Sequence, residues 1–97
     1  MEIKTNKTLW LAQDWDTDNY ICITEKFEDA IDILCESGYL YDEFEIYISD
    51  DNDYIPVKEA FGENWRNILK KFSAHSLNSM FDYCITLHQV NLMEVIR

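Results

Sequence analysis

Asp14, Asp16, Asp18 and Glu25 bring four carboxylates into twelve consecutive residues, at a spacing that suits a hard cation ringed by oxygen. The plainer reading of the same stretch is an acidic hairpin turn; that is the expectation, with calcium as the runner-up. Cys84 and His88, four residues apart, would share one face of a helix and could act as a thiolate and its base or as two metal ligands. Either role needs further partners, and Cys22 and Cys35 stand at no zinc-binding spacing, so Cys84 and His88 are expected to be core-facing. His75 reads as a surface loop histidine. Paired carboxylates can also serve as general acid and base, but 97 residues leave little mass for a cleft, and two glycines give no phosphate-cradling loop. No enzyme activity and no cofactor are expected.

The stretch 14–25, DWDTDNYICITE, resembles the twelve-residue calcium loop of EF-hand proteins. Asp14, Asp16 and Asp18 stand at its first, third and fifth ligand positions, Ile21 at the hydrophobic eighth and Glu25 at the bidentate twelfth. The resemblance implies a calcium-binding docking domain. It departs from the family at Asn19, where the sharp-turn glycine belongs, and in the strand-like TNKTLWLAQ that precedes it. No second loop pairs with it, because the acids at 50–53 have no correctly placed Glu.

The larger signal is charge. The chain carries a net charge of −11, and between residues 14 and 63 sixteen acidic residues face only Lys26 and Lys58. The flanks on either side are weakly basic. Such a surface repels nucleic acid and anionic membrane and attracts basic proteins, so direct nucleic-acid and membrane contacts are not expected. No apolar run is long enough to span a bilayer and the N-terminus lacks a signal-peptide core, which points to the cytoplasm. Three cysteines without paired spacing read as reduced thiols.

The element that organises these charges is an amphipathic helix over 25–36, with Thr24 as its cap and Gly38 as its stop. At about 100° per residue Phe27, Ala30, Ile31 and Leu34 share one face, and Glu25, Glu28, Asp29, Asp32 and Glu36 the other. No Lys or Arg interleaves with the acidic face. Alternation predicts strands over 8–15, 20–24 and 43–49, and a short edge strand over 54–58 that contains Pro56. Trp65, Ile68, Leu69 and Phe72 keep helical spacing, with Arg66, Lys70 and Lys71 outside. After a break at 73–76 a last helix is expected from Leu77, although its β-branched content leaves 83–90 open between helix and strand. The fold class expected is α+β in one domain, 1–97: a small, mainly antiparallel sheet in the order β-β-α-β-β-α-α with helices on one face.

The surface expected to bind a partner comprises Glu25, Glu28, Asp29, Asp32, Glu36, Tyr41, Asp42, Glu43, Glu45, Tyr47, Asp50, Asp51 and Asp53. Carboxylates one helical turn apart are about 5–6 Å apart at Cβ, close to the spacing of phosphates along a nucleic-acid strand. Among the aromatics, Tyr39, Tyr41, Tyr47 and Tyr54 are expected to be exposed, Trp10 and Tyr20 to be core. In size and charge alone the chain is similar to small acidic inhibitors, such as anti-CRISPR and anti-restriction proteins of phages and plasmids and the immunity proteins of nuclease toxins. The function expected is inhibition of a basic, nucleic-acid-binding protein by mimicry of the phosphate backbone. The alternative is an adaptor domain that docks through its aromatic and acidic surface, with calcium or without it. A homodimer through the C-terminal helix is a further possibility.

Overall fold

A computed structural model describes residues 3–96, and the side chains of residues 7–91. The elements are β1 (Ile3–Asp14), β2 (Tyr20–Thr24), α1 (Phe27–Glu36), β3 (Glu45–Ile48), β4 (Asp53–Pro56), α2 (Val57–Phe61), α3 (Trp65–Leu69), α4 (Ala74–Met80) and β5 (Ile85–Ile96). β1, β2 and β5 form an antiparallel sheet in the order β2-β1-β5, and β3 and β4 form a separate hairpin. The α+β architecture read from the sequence holds, with one more strand and the strands divided between two sheets.

α1 packs its apolar face as its spacing requires: Ala30, Ile31 and Leu34 are fully buried, and Phe27 stacks on Trp10 with ring centroids 5.0 Å apart. The helix begins two residues later than expected. Thr24 does not cap it; its hydroxyl donates instead to the Lys26 carbonyl at 2.8 Å, and Lys26 occupies the cap position. Gly38 does stop it, at φ 84°, a left-handed conformation that side chains resist.

Alternation along β1 sends Ala12 inward and Leu11 outward, and the β1–β5 register places Leu87 opposite Ala12 on the inward face. That face meets α1, Leu69 of α3, Leu77 of α4, Leu40, Ile46 and Val57 in one buried cluster around Phe81. Phe81 meets Phe44 edge-on at 5.7 Å, which locks the β3–β4 hairpin to the end of α4.

The C-terminal segment departs most from expectation. Ser73 caps α4 by accepting the Ser76 N–H at 3.2 Å, but the helix ends at Met80, and Asp82 and Tyr83 follow at φ 53° and 60°. Two successive left-handed residues cannot continue a helix. The chain re-emerges as β5, which pairs with β1 over twelve positions from Ile3 opposite Ile96 to Asp14 opposite Ile85. The open choice over 83–90 is therefore settled as strand from Ile85, and the described residues contain no C-terminal helix for a dimer to use. The expected helix from Trp65 is also shorter. It ends at Leu69, while Val57–Phe61 forms a separate helical turn where the end of a strand was expected.

β2 pairs with β1 only at Trp10 to Gln13, so from Leu9 outward β1 and β5 pair with each other alone. This ribbon gives the molecule its long axis, with extents of 56 × 26 × 25 Å. No helix among the described residues is long and apolar enough to cross a membrane.

Candidate functional site

Three loops meet at the end of the sheet away from the ribbon. The β1–β2 turn is held by the Asp14 N–H donating to the Asn19 carbonyl and the Asp16 N–H donating to Asp14 Oδ1, each at 2.9 Å. The Trp15 N–H donates to the Cys84 carbonyl at 3.1 Å, tying this turn to the α4–β5 loop. The Tyr54 hydroxyl donates to Asp82 Oδ2 at 2.9 Å, tying the β3–β4 hairpin to the same loop. Tyr47 lies against Tyr54 at 5.3 Å and donates its hydroxyl to Asn52 at 2.7 Å, across the hairpin turn.

This end combines carboxylates with exposed aromatic rings. Trp15 is 66% exposed, Tyr20 64%, Tyr83 52% and Tyr54 48%. Burial, followed by the neighbouring carboxylates of Asp82, Asp16 and Asp14, pushes the Cys84 thiol up. A thiol so placed is a poor nucleophile at neutral pH. The hydrogen bond to Asp82 pushes the Tyr54 phenol up as well. The assembly suits recognition of cationic and apolar groups.

The residues of the calcium-loop resemblance do not converge. Asp14, Asp16 and Asp18 sit in the turn, while Glu25 lies beyond the far end of β2, a strand of five residues that spans about 17 Å. There Glu25 meets Lys7 at 2.8 Å, and the ammonium holds its carboxyl below the usual range. Among the described residues no group of three or more His, Cys, Asp and Glu side chains can hold a metal ion. Cys84 and His88 also part company, because Cys84 precedes β5 and His88 lies within it, paired with Thr86 at 2.9 Å. Both are exposed, where core-facing positions were expected.

The acidic row of α1 is divided by use. Asp32 Oδ1 takes Lys70 Nζ at 2.7 Å and Arg66 Nε at 3.0 Å, and Arg66 also reaches Glu36 at 3.4 Å. The cations missing from the helix itself come from α3 and the residue after it. These contacts, Lys70 first, hold the Asp32 carboxyl below its ordinary value. Asp42 is likewise committed: it accepts the Trp65 indole N–H at 2.8 Å and meets Lys58 at 3.6 Å. Glu63 is the stronger partner of Lys58, at 3.3 Å, and raises its pKa.

Of the surface expected from the sequence, the carboxylates that remain exposed and outside any described ion pair are Glu28 and Asp29 on α1, Glu43 and Glu45 before and within β3, and Asp50, Asp51 and Asp53 around the hairpin turn. Tyr41 is 51% exposed, with its edge on Phe44. The structure thus joins Tyr47, Tyr54 and Asp53 to the three-loop end, and leaves Glu25, Glu28 and Asp29 at the opposite end of β2. Trp15, Tyr20, Asp82 and Tyr83 belong with the first group and, like Tyr54, were absent from the expected surface. Tyr20 was expected in the core with most aromatics of a small domain; it instead pairs with Gln13 beyond the bulge that follows Ala12, and its ring is exposed. Nothing in FDYC announces the turn that exposes Tyr83. No family model, no curated protein and no solved structure matches the chain.

Proposed function

We propose that this protein is an acidic inhibitor in the cytoplasm that occupies a basic, nucleic-acid-binding site on another protein. The observation that carries the reading is the three-loop end. There the carboxylates of the β1–β2 turn, the hairpin and Asp82, none of them in a described ion pair, share the end of the sheet with the exposed rings of Trp15, Tyr20, Tyr54 and Tyr83. Carboxylates attract and orient arginine and lysine, and rigid aromatic rings give those contacts an apolar anchor at little entropic cost. Arginine also stacks on such rings. Glu28 and Asp29, at the far end of β2, add to the long-range field that steers a basic partner.

The exposure of Trp15 and Tyr20 also favours a second reading, an adaptor whose affinity comes from the rings and not from charge. Capture of the tagged protein's partner from nuclease-treated host lysate, washed across a salt series and then with duplex DNA or RNA, separates the two. Release of one basic protein by salt and by nucleic acid supports the inhibitor. A partner that resists both belongs to the adaptor reading.

A further inference from the structure

Among the described residues the longest unpaired strand edge is that of β5, since the edge of β1 that β2 leaves open runs only from Ile3 to Leu9. β2 has five residues and a bulge in its pairing with β1. β3 and β4 have four residues each, and β4 ends in Pro56. β5, by contrast, is the outer strand of its sheet over twelve residues. Its edge is occupied at Leu87, where the Asn78 side chain accepts the backbone N–H at 2.7 Å and donates to the backbone carbonyl at 3.1 Å. These are the two bonds a neighbouring strand would make. They also fix the parity of the strand: the Leu87 backbone groups point away from β1, and by the period of two so do those of Gln89, Asn91, Met93 and Val95. No strand among the described residues pairs with these four.

We propose that this edge pairs with the same edge of a second copy of the chain, antiparallel about a two-fold axis near Leu92, so that two three-stranded sheets become one of six strands. Three observations favour a second copy as the occupant. The outer part of the β1–β5 ribbon has two strands only, a form that is marginal in water until a third is added. The edge is complementary to itself, because setting Gln89 against Val95 and Asn91 against Met93 satisfies all four outward residues on both chains. Charge permits it as well. The acidic residues are concentrated between 14 and 63, whereas β1 and β5 lie largely in the weakly basic flanks. In this register the two Leu87 residues stand about 34 Å apart, several Debye lengths at physiological salt. The acidic bodies therefore sit at opposite ends of the joined ribbon and scarcely repel each other.

The proposal is independent of the inhibitor reading and is tested without a partner. Sedimentation equilibrium of the full chain across the micromolar range should give a reversible monomer–dimer transition. Asn91→Pro removes an outward N–H at a place where an edge strand accepts proline. It should weaken self-association at least tenfold and leave the circular dichroism spectrum nearly unchanged, while Asn91→Ala, which keeps the N–H, should dimerise as the wild type does. Amide exchange of the wild type gives a reading that no variant's folding can confuse. The N–H groups of Gln89, Asn91, Met93 and Val95 should be protected at high concentration and lose that protection on dilution. A wild type that stays monomeric, an Asn91→Pro dimer of unchanged strength, outward amides that exchange freely at every concentration, or an open-ended polymer would each overturn the two-fold edge pairing.

Discussion

Lys70 Nζ lies 2.7 Å from Asp32 Oδ1, nearer than the Arg66 Nε at 3.0 Å, so one carboxylate of α1 holds both α3 and the residue that follows it. The pair is partly exposed, and its contribution is that of a well-formed surface network. Asp32→Asn should lower stability by about 1 kcal/mol, which for a domain of this size is a fall of about 4–8 °C in melting temperature. Glu28→Gln, on the same helix but outside any described ion pair, should change it by less than about 0.5 kcal/mol. Thermal melts of the two variants check the contrast.

The same carboxyl sets an acid limb in the stability profile. Lys70 and then Arg66 hold the Asp32 pKa in the folded state below its unfolded value of about 3.9. As pH falls the unfolded chain takes up this proton first. The contribution is therefore complete above about pH 4 and is lost as pH drops through the folded value. Urea unfolding between pH 6 and pH 3 should show the wild type losing more stability beneath pH 4 than Asp32→Asn does. Parallel curves would remove Asp32 as the source.

Asn78 closes the β5 edge with a bidentate contact to Leu87. Asn78→Ala leaves a backbone N–H and carbonyl beside a buried side chain without that partner, at a cost of about 1–3 kcal/mol. Asn78→Asp keeps an acceptor for the N–H and loses the donor, so it should fall between the two. Equilibrium denaturation orders the three proteins.

The parts of the fold legible in the sequence are those where local pattern and tertiary need agree. The apolar stripe of α1, the YICIT strand and the stop at Gly38 all follow from spacing or from one residue's backbone freedom. β5 was ambiguous because Leu77, Met80, Phe81, Cys84 and His88 keep a helical period. What overrides that period is pairing with β1, a partner more than seventy residues away at the Leu11–His88 rung, together with the left-handed turn at Asp82 and Tyr83. The charges on Asp32 and Glu36 were visible; their neutralisation was not, because Arg66 and Lys70 approach only once α3 is packed. Tyr54 and Asp82 meet for the same reason, through contacts that no sequence window contains.

Calcium should have no effect on stability. Because β2 separates Glu25 from Asp14, Asp16 and Asp18, no ligand set closes around an ion, and millimolar calcium should leave the melting temperature unchanged. A rise that Glu25→Gln abolishes would show that the turn and the start of α1 come together in solution.

The two ends of β2 should differ in what they contribute to partner binding. Asp50→Lys with Asp51→Lys reverses charge at the hairpin turn, beside the Tyr47–Tyr54 pair, and neither residue makes a described side-chain contact, so the fold should survive. Glu28→Lys with Asp29→Lys makes an equal change of charge at the opposite end, also on exposed side chains. If the three-loop end is the contact surface, the hairpin pair should speed dissociation and weaken binding by tenfold or more. The helix pair, acting only through the field, should slow association, and its effect should vanish as salt is raised. Trp15→Ala should join the hairpin pair in raising the dissociation rate, with little dependence on salt. Binding kinetics at two ionic strengths reads all three variants at once. The reverse pattern, with the helix pair governing dissociation, would move the contact surface to α1 and return it to the face first indicated by the sequence.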